Sequence, residues 1–229
     1  MKTKLLFKLF ALLVVLSVAV GAARAGEIFT VTLDTNPLTL SPAADAGPFS
    51  IAFQLTDGSG TNDGNNTATL SNFDFGGGSA SGTPTLYGVG TSGDLGSTVT
   101  LTDNDFFNAF VQGFIPGSSL SFLAGLTTNV DAGGTPDAFA FSILDSSGSS
   151  IPTVDPADTL LTVNIDSASP TILTYATDPN QGTASGDVSI TMGAPVTNLL
   201  TPVPEPTLPL LMCVGLFGVC FAAWRIRDR

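Results

Sequence analysis

Phe49-Ser50-Ile51-Ala52-Phe53-Gln54-Leu55-Thr56 alternates bulky apolar residues with small or polar ones along its whole length. Successive side chains of an extended chain point to opposite faces, so the stretch reads as a strand with Phe49, Ile51, Phe53 and Leu55 on its buried face. Asp57-Gly58 follows as a turn signal. The same period of two recurs outward in both directions. Phe29, Val31 and Leu33 carry it before this strand. After it come Val99 and Leu101, then Leu120, Phe122, Ala124 and Leu126, then Phe139, Phe141 and Ile143. Leu161, Val163 and Ile165, then Ile172, Thr174 and Ala176, and finally Val188, Ile190 and Met192 complete the set. Gly- and Asp-rich separators such as Asp63-Gly64, Gly76-Gly77-Gly78, Gly133-Gly134, Ser147-Gly148 and Asp178-Pro179 punctuate these runs. The expected fold is all-β: an antiparallel β-sandwich, jelly-roll or Ig-like, of about eight to ten strands over residues 26–193.

Two stretches depart from simple alternation. Ala68 and Leu70 share one phase while Phe73 and Phe75 fall in the other, the pattern of a bulge or of a strand that changes sheets. Between Asp105 and Phe114, the residues Phe106, Phe107, Phe110, Val111 and Phe114 follow helical spacing, with Asp103 or Asp105 as N-cap. A short helical segment is expected there, with a strand as the alternative.

Charge divides the chain sharply. All seven lysines and arginines lie at its ends: Lys2, Lys4, Lys8, Arg24, Arg225, Arg227 and Arg229. The intervening body has none, the chain has no histidine, and the formal net charge is −12. Ion pairs between body side chains are therefore impossible, and stability must come from apolar burial and hydrogen bonds. Nucleic acid is excluded as a partner, because displacing phosphate counterions requires Lys and Arg.

The two ends read as sorting signals. Three lysines, an apolar run from Leu9 to Val20 and the small-x-small site Ala23-Arg24-Ala25 form a signal peptide over residues 1–25, cut by signal peptidase after Ala25. An uncleaved N-terminal anchor is the alternative. At the other end, a linker at 194–202 leads to Val203-Pro204-Glu205-Pro206. The uncharged run 208–224 follows, and Arg225, Arg227 and Arg229 close the chain. A helix over 208–224 rises about 25 Å, enough to span a hydrocarbon core of about 30 Å with local thinning. The terminal arginines hold their end on the cytoplasmic side. Both cysteines, Cys213 and Cys220, sit in this run, so the body is exported without disulfides.

The tail, residues 203–229, resembles the PEP-CTERM sorting signal of Gram-negative bacteria in its Pro204-Glu205-Pro206, its apolar helix and its arginine-rich end; Asp228 among the arginines departs from the pattern. The resemblance implies that an exosortase, a membrane-embedded cysteine protease, acts near the motif on a chain held transiently in the inner membrane. It also implies a final address at the cell surface or beyond, in the company of exopolysaccharide and biofilm. The body is similar to a group of uncharacterised PEP-CTERM proteins over Asp105-Phe106-Phe107-Asn108, Gly117 to Phe122, Leu126 to Asn129 and Pro136 to Asp145. That likeness implies a shared fold and no activity.

Enzyme chemistry finds little material in the body. Without His or a body Cys there is no nucleophilic triad and no ordinary zinc site, and without Lys there is no P-loop. The expected role is non-catalytic, a surface or extracellular-matrix protein. A glycan-binding module, with calcium assisting, is the alternative; a glycosidase built on two aspartates is a distant one. Calcium is the candidate cofactor, because the loop from Asp57 to Asn66 is crowded with hard oxygen donors, with Asp57, Asn62, Asp63 and Asn65 as candidate ligands. The loop lacks the EF-hand pattern, and Asx-turns in a solvent-facing hairpin would use the same residues. Tyr87 and Tyr175, the body's two polar aromatics, are the candidate glycan contacts; core or strand-edge packing is the alternative for both. Uniform negative charge makes one outcome testable at once. Raising NaCl from low to moderate concentration screens the self-repulsion and raises the melting temperature of the protein; a fall would contradict this reading.

Overall fold

Alternating apolar side chains must be covered on one face only, and two such sheets packed face to face satisfy each other. The computed structural model shows this arrangement. It describes residues 26–40, 48–59, 62–131, 134–167, 169–178 and 190–192, which lie within one unit, Arg24–Val196. The signal peptide expected over 1–25, the linker at 194–202 and the sorting segment at 203–229 lie outside the described residues. Among the described residues, no helix is long and apolar enough to cross a membrane.

Twelve strands and one short helix are described. In chain order they are β1 (Glu27–Asp34), α1 (Asn36–Leu40), β2 (Phe49–Thr56), β3 (Thr67–Asp74), β4 (Ser79–Tyr87), β5 (Thr91–Gly93) and β6 (Val99–Thr102). β7 (Phe107–Ile115), β8 (Ser119–Leu126), β9 (Asp137–Leu144), β10 (Leu161–Ile165), β11 (Ile172–Thr174) and β12 (Ile190–Met192) follow. One sheet has the order β12-β1-β8-β3-β6-β5 and the other β11-β10-β9-β2-β7-β4. Every pairing is antiparallel. The pairs β1·β8, β2·β7 and β3·β6 are nested, so the chain behaves as a long hairpin folded over on itself.

Phe53, in the middle of β2, is the hub of the core. Its ring lies 5.2 Å from Phe122 of the opposite sheet, edge-on, and 5.4 to 6.2 Å from Phe110, Phe139 and Phe141 of its own sheet. Phe122 also meets Phe141 edge-on at 5.2 Å, which closes a ring cluster across the two layers. Offset and edge-to-face contacts of this kind add to the burial energy of each ring.

The phase slip in β3 is a bulge. Its register against β8 shifts between Ser71 and Asp74, and Asn72 has φ 56°. Ala68 and Leu70 point inward before the bulge, and Phe73 and Phe75 pack against the core after it.

Residues 105–114 correct the helical expectation. They form β7, and the helix of the described fold is α1 instead. The inward face of β7 is Asn108, Phe110, Gln112 and Phe114, two amides alternating with two rings. Buried amides broke the apolar alternation, and the remaining phenylalanines then mimicked a helical period. Three of their four polar atoms bond to backbone, while Asn108 Oδ1 is buried without a partner. Gln112 accepts from Leu95 N at 2.8 Å and donates to Gly82 O at 2.9 Å, and Asn108 donates to Asp105 O at 2.6 Å. β4 carries no apolar alternation, because it is an edge strand of mostly small and hydroxyl residues that buries almost nothing.

The hub predicts an asymmetry among phenylalanines. Phe53→Ala lowers stability by about 3–5 kcal/mol. Phe106→Ala, at an exposed position, changes it by about 0.5 kcal/mol or less. Urea denaturation measures both, and equal midpoints would remove Phe53 from its central role.

Candidate functional site

Polar chemistry concentrates at one end of the sandwich, where strands of both sheets end or begin. Asp57 follows β2 and Asp137 opens β9 in one sheet; Asn66 precedes β3 and Asp103 follows β6 in the other. Asn129 and Asp131 lie on the segment that crosses from β8 to β9. The turn chemistry that punctuates the strands has thus been gathered into a single cluster.

Asn66 is its centre and is fully buried. Its backbone N–H donates to both carboxylate oxygens of Asp103 at 3.0 Å, and Asp103 N returns a bond to Asn66 O at 3.2 Å. The Asn66 Nδ2 donates to Asp137 Oδ2 at 2.6 Å and to Asn129 O at 2.7 Å. Its Oδ1 accepts from Asn129 N at 2.9 Å and Thr127 Oγ1 at 3.2 Å. One side chain thereby ties β3 to the β8–β9 crossing and to the first residue of β9. Gly58 N donates to Asp137 Oδ1 at 2.9 Å. That contact requires glycine, because a Cβ at position 58 would lie 2.0 Å from Pro136 O.

Asp57, Asp131 and Asp137 each place a carboxylate oxygen within 4.8 Å of the others. Asp57 is 1 % exposed and Asp137 2 %. Asp57 Oδ2 accepts from Asn62 N, and Asn65 Nδ2 donates to Asp131 Oδ1 at 2.6 Å and to Asp63 Oδ2 at 2.8 Å. Asp103 stands beside Asp137 of this trio. Burial pushes its carboxyl up to about 7; the Asn66 N–H pulls the other way, and the Asp137 carboxylate raises it further. Between Gly26 and Val203 the chain carries no Lys, Arg or His.

The four residues singled out in the loop separate into different roles. Asp57 joins the carboxylate trio, and Asn65 bonds to it through Asp131. Asn62 contributes its backbone N–H and has φ 51°; Asp63 is exposed and accepts from Asn65. Asp131 and Asp137 complete the group from far along the chain, and no local spacing marked them. Tyr87 and Tyr175 are not brought together. Tyr87 ends the edge strand β4, while Tyr175 follows β11 at the opposite edge of the same sheet. Tyr87 instead shares its corner with Phe107. The pairing Tyr87↔Ala109 places them at diagonal positions on one face. They are 50 % and 44 % exposed, beside Phe106 at 57 %.

No family model, no curated protein and no solved structure matches this chain.

Asn66→Asp tests the centre of the cluster. The substitution is nearly isosteric, but it replaces the Nδ2 donor with an acceptor facing Asp137 Oδ2 and Asn129 O and adds a carboxylate beside Asp103. The expected loss is about 3 kcal/mol or more in chemical denaturation. A loss under about 1 kcal/mol would show that Asn66 does not hold the cluster together.

Proposed function

We propose that this is an exported, non-catalytic β-sandwich protein of the cell surface or extracellular matrix, sorted through its C-terminal segment by an exosortase-like membrane protease. The observation that carries the non-catalytic reading is the burial of the carboxylate cluster. Asp57 and Asp137, 1 % and 2 % exposed, are tied to backbone N–H groups and to Asn66, so neither faces a substrate. A glycosidase needs its carboxyl pair on either side of an accessible glycosidic bond. The cluster has the character of a structural pin between two sheets. The nested pairing of β1·β8, β2·β7 and β3·β6 favours a jelly-roll over an Ig-like arrangement.

The export part of the proposal rests on the two terminal signals, with Ala23 and Ala25 read by signal peptidase and Val203, Pro204, Glu205 and Pro206 by the sorting protease. Segment 208–224 and Arg225, Arg227 and Arg229 hold the motif at the inner membrane until cleavage. Association with exopolysaccharide and biofilm follows from the resemblance of the tail.

A glycan-binding role is the second reading, favoured by the exposed corner of Tyr87, Phe106 and Phe107. Rings at a sheet edge offer flat apolar faces of the kind that stack on sugar rings.

In the native host, the mature protein is expected to lose mass near Pro204 when the sorting protease is present, and to leave the membrane fraction. A full-length chain retained in the membrane would reject sorting and leave a plain anchor. Saturable co-sedimentation of the released protein with the host's own extracellular polysaccharide, weakened by Tyr87→Ala and Phe107→Ala together, would select the glycan reading. No binding would favour a structural role.

A further inference from the structure

We propose that Asp57, Asp131 and Asp137 form a divalent-cation site, suited to calcium, that fastens the two chain crossings between the sheets at this end of the sandwich. The loop from Asp57 to Asn66 supplies only part of it; the set is assembled from the β2–β3 crossing, the β8–β9 crossing and the first residue of β9.

Spacing is the first argument. Oxygens bound at 2.3–2.6 Å to one calcium ion lie at most about 4.6–5.2 Å apart. The three carboxylates already fall within 4.8 Å of one another. An independent observation comes from two orphaned oxygens. Asp131 Oδ1 is taken by Asn65 Nδ2 at 2.6 Å, while Asp131 Oδ2 is buried and accepts no hydrogen bond. Asn65 Oδ1, on the adjoining side chain, is likewise buried without a partner. Buried acceptors normally find a donor or an ion, and here one belongs to the carboxylate trio and the other to the side chain bonded to it.

Charge is the second argument. Buried carboxylates persist when they are paired or bound to a metal. The body itself has no Lys, Arg or His, and a bound cation would bring positive charge to the cluster. The donors are all hard oxygens, which disfavours zinc and copper. Magnesium demands a near-ideal octahedron and retains much of its water. Asp137 is already oriented by Gly58 N and Asn66 Nδ2, and Asp57 by Asn62 N. Carboxylates fixed by other bonds suit the larger, irregular shell of calcium, completed by Asn65 Oδ1 and water.

The site has a mechanical consequence. Asp57 begins the crossing that leads from β2 in one sheet to β3 in the other, and Asp131 lies on the crossing that leads back from β8 to β9. An ion held by both fixes the two crossings to each other and to β9.

The test uses the full chain in detergent, stripped with a chelator and dialysed. Calorimetric titration with calcium chloride should show one saturable site, and thermal melting followed by circular dichroism should shift upward. At a hundred times Kd, the folding equilibrium constant should rise about 100-fold. Magnesium at the same concentration should give a much smaller shift, and sodium chloride at matched ionic strength should not reproduce the calcium effect. Asp131→Asn should fold in chelator yet lose the calcium shift, while Asp94→Asn, at an exposed position in the turn between β5 and β6, should keep it. Absence of saturable heat in the wild-type titration would overturn the proposal whatever the variants do. A shift matched by sodium chloride, or retained in a folded Asp131→Asn, would overturn it in favour of general screening of an acidic surface.

Discussion

In a folded body without lysine, arginine or histidine, the protein groups that meet buried carboxylates are neutral donors. The recurring donor at this end of the structure is therefore the amide. Asn66 is the clearest case: both its backbone and its side chain donate to aspartates, and its Oδ1 collects bonds from Thr127 and Asn129. Gly58 N and Asn62 N serve Asp137 and Asp57 in the same way. In a low-dielectric setting such bonds are strong, and a lost one is correspondingly expensive. The carboxyl of Asp103, displaced upward by burial, registers how incompletely neutral donors replace a countercharge.

That polar end and the phenylalanine core divide the labour of holding two sheets together. Phe53, Phe122 and Phe141 supply non-directional burial across the layers, which fixes that the sheets pack. The Asn66 cluster supplies directional bonds between segments far apart in the chain, which fix where the crossings lie. A cation at Asp57, Asp131 and Asp137 would strengthen the second function without touching the first.

Much of the sandwich was legible because a strand half-buried in a sheet imposes a period of two on its own sequence. Phe49 to Leu55, Leu120 to Leu126 and Phe139 to Ile143 all show it. The bulge in β3 was legible for the same reason, as a slip of phase between Leu70 and Phe73. Reading failed where burial and apolarity part company. β7 turns Asn108 and Gln112 inward, and their partners at Asp105, Leu95 and Gly82 come from other turns and strands. β4 lies at an edge with few buried positions, so no pattern was imposed on it.

The sequence by itself determined the all-β character of the body, the exclusion of histidine, cysteine and lysine chemistry from it, and the charge division between body and ends. These follow from composition and from local periodicity, which a chain carries wherever it is. The grouping of Asp57, Asp131 and Asp137 was decided only by tertiary structure. Asp57 could be noticed in a loop rich in oxygen donors, but Asp137 is brought beside it by the antiparallel pairing of β2 with β9, and Asp131 by the crossing from β8 that leads into β9. Clustering of carboxylates across such a separation depends on strand register, and register is settled by the packing of both sheets at once.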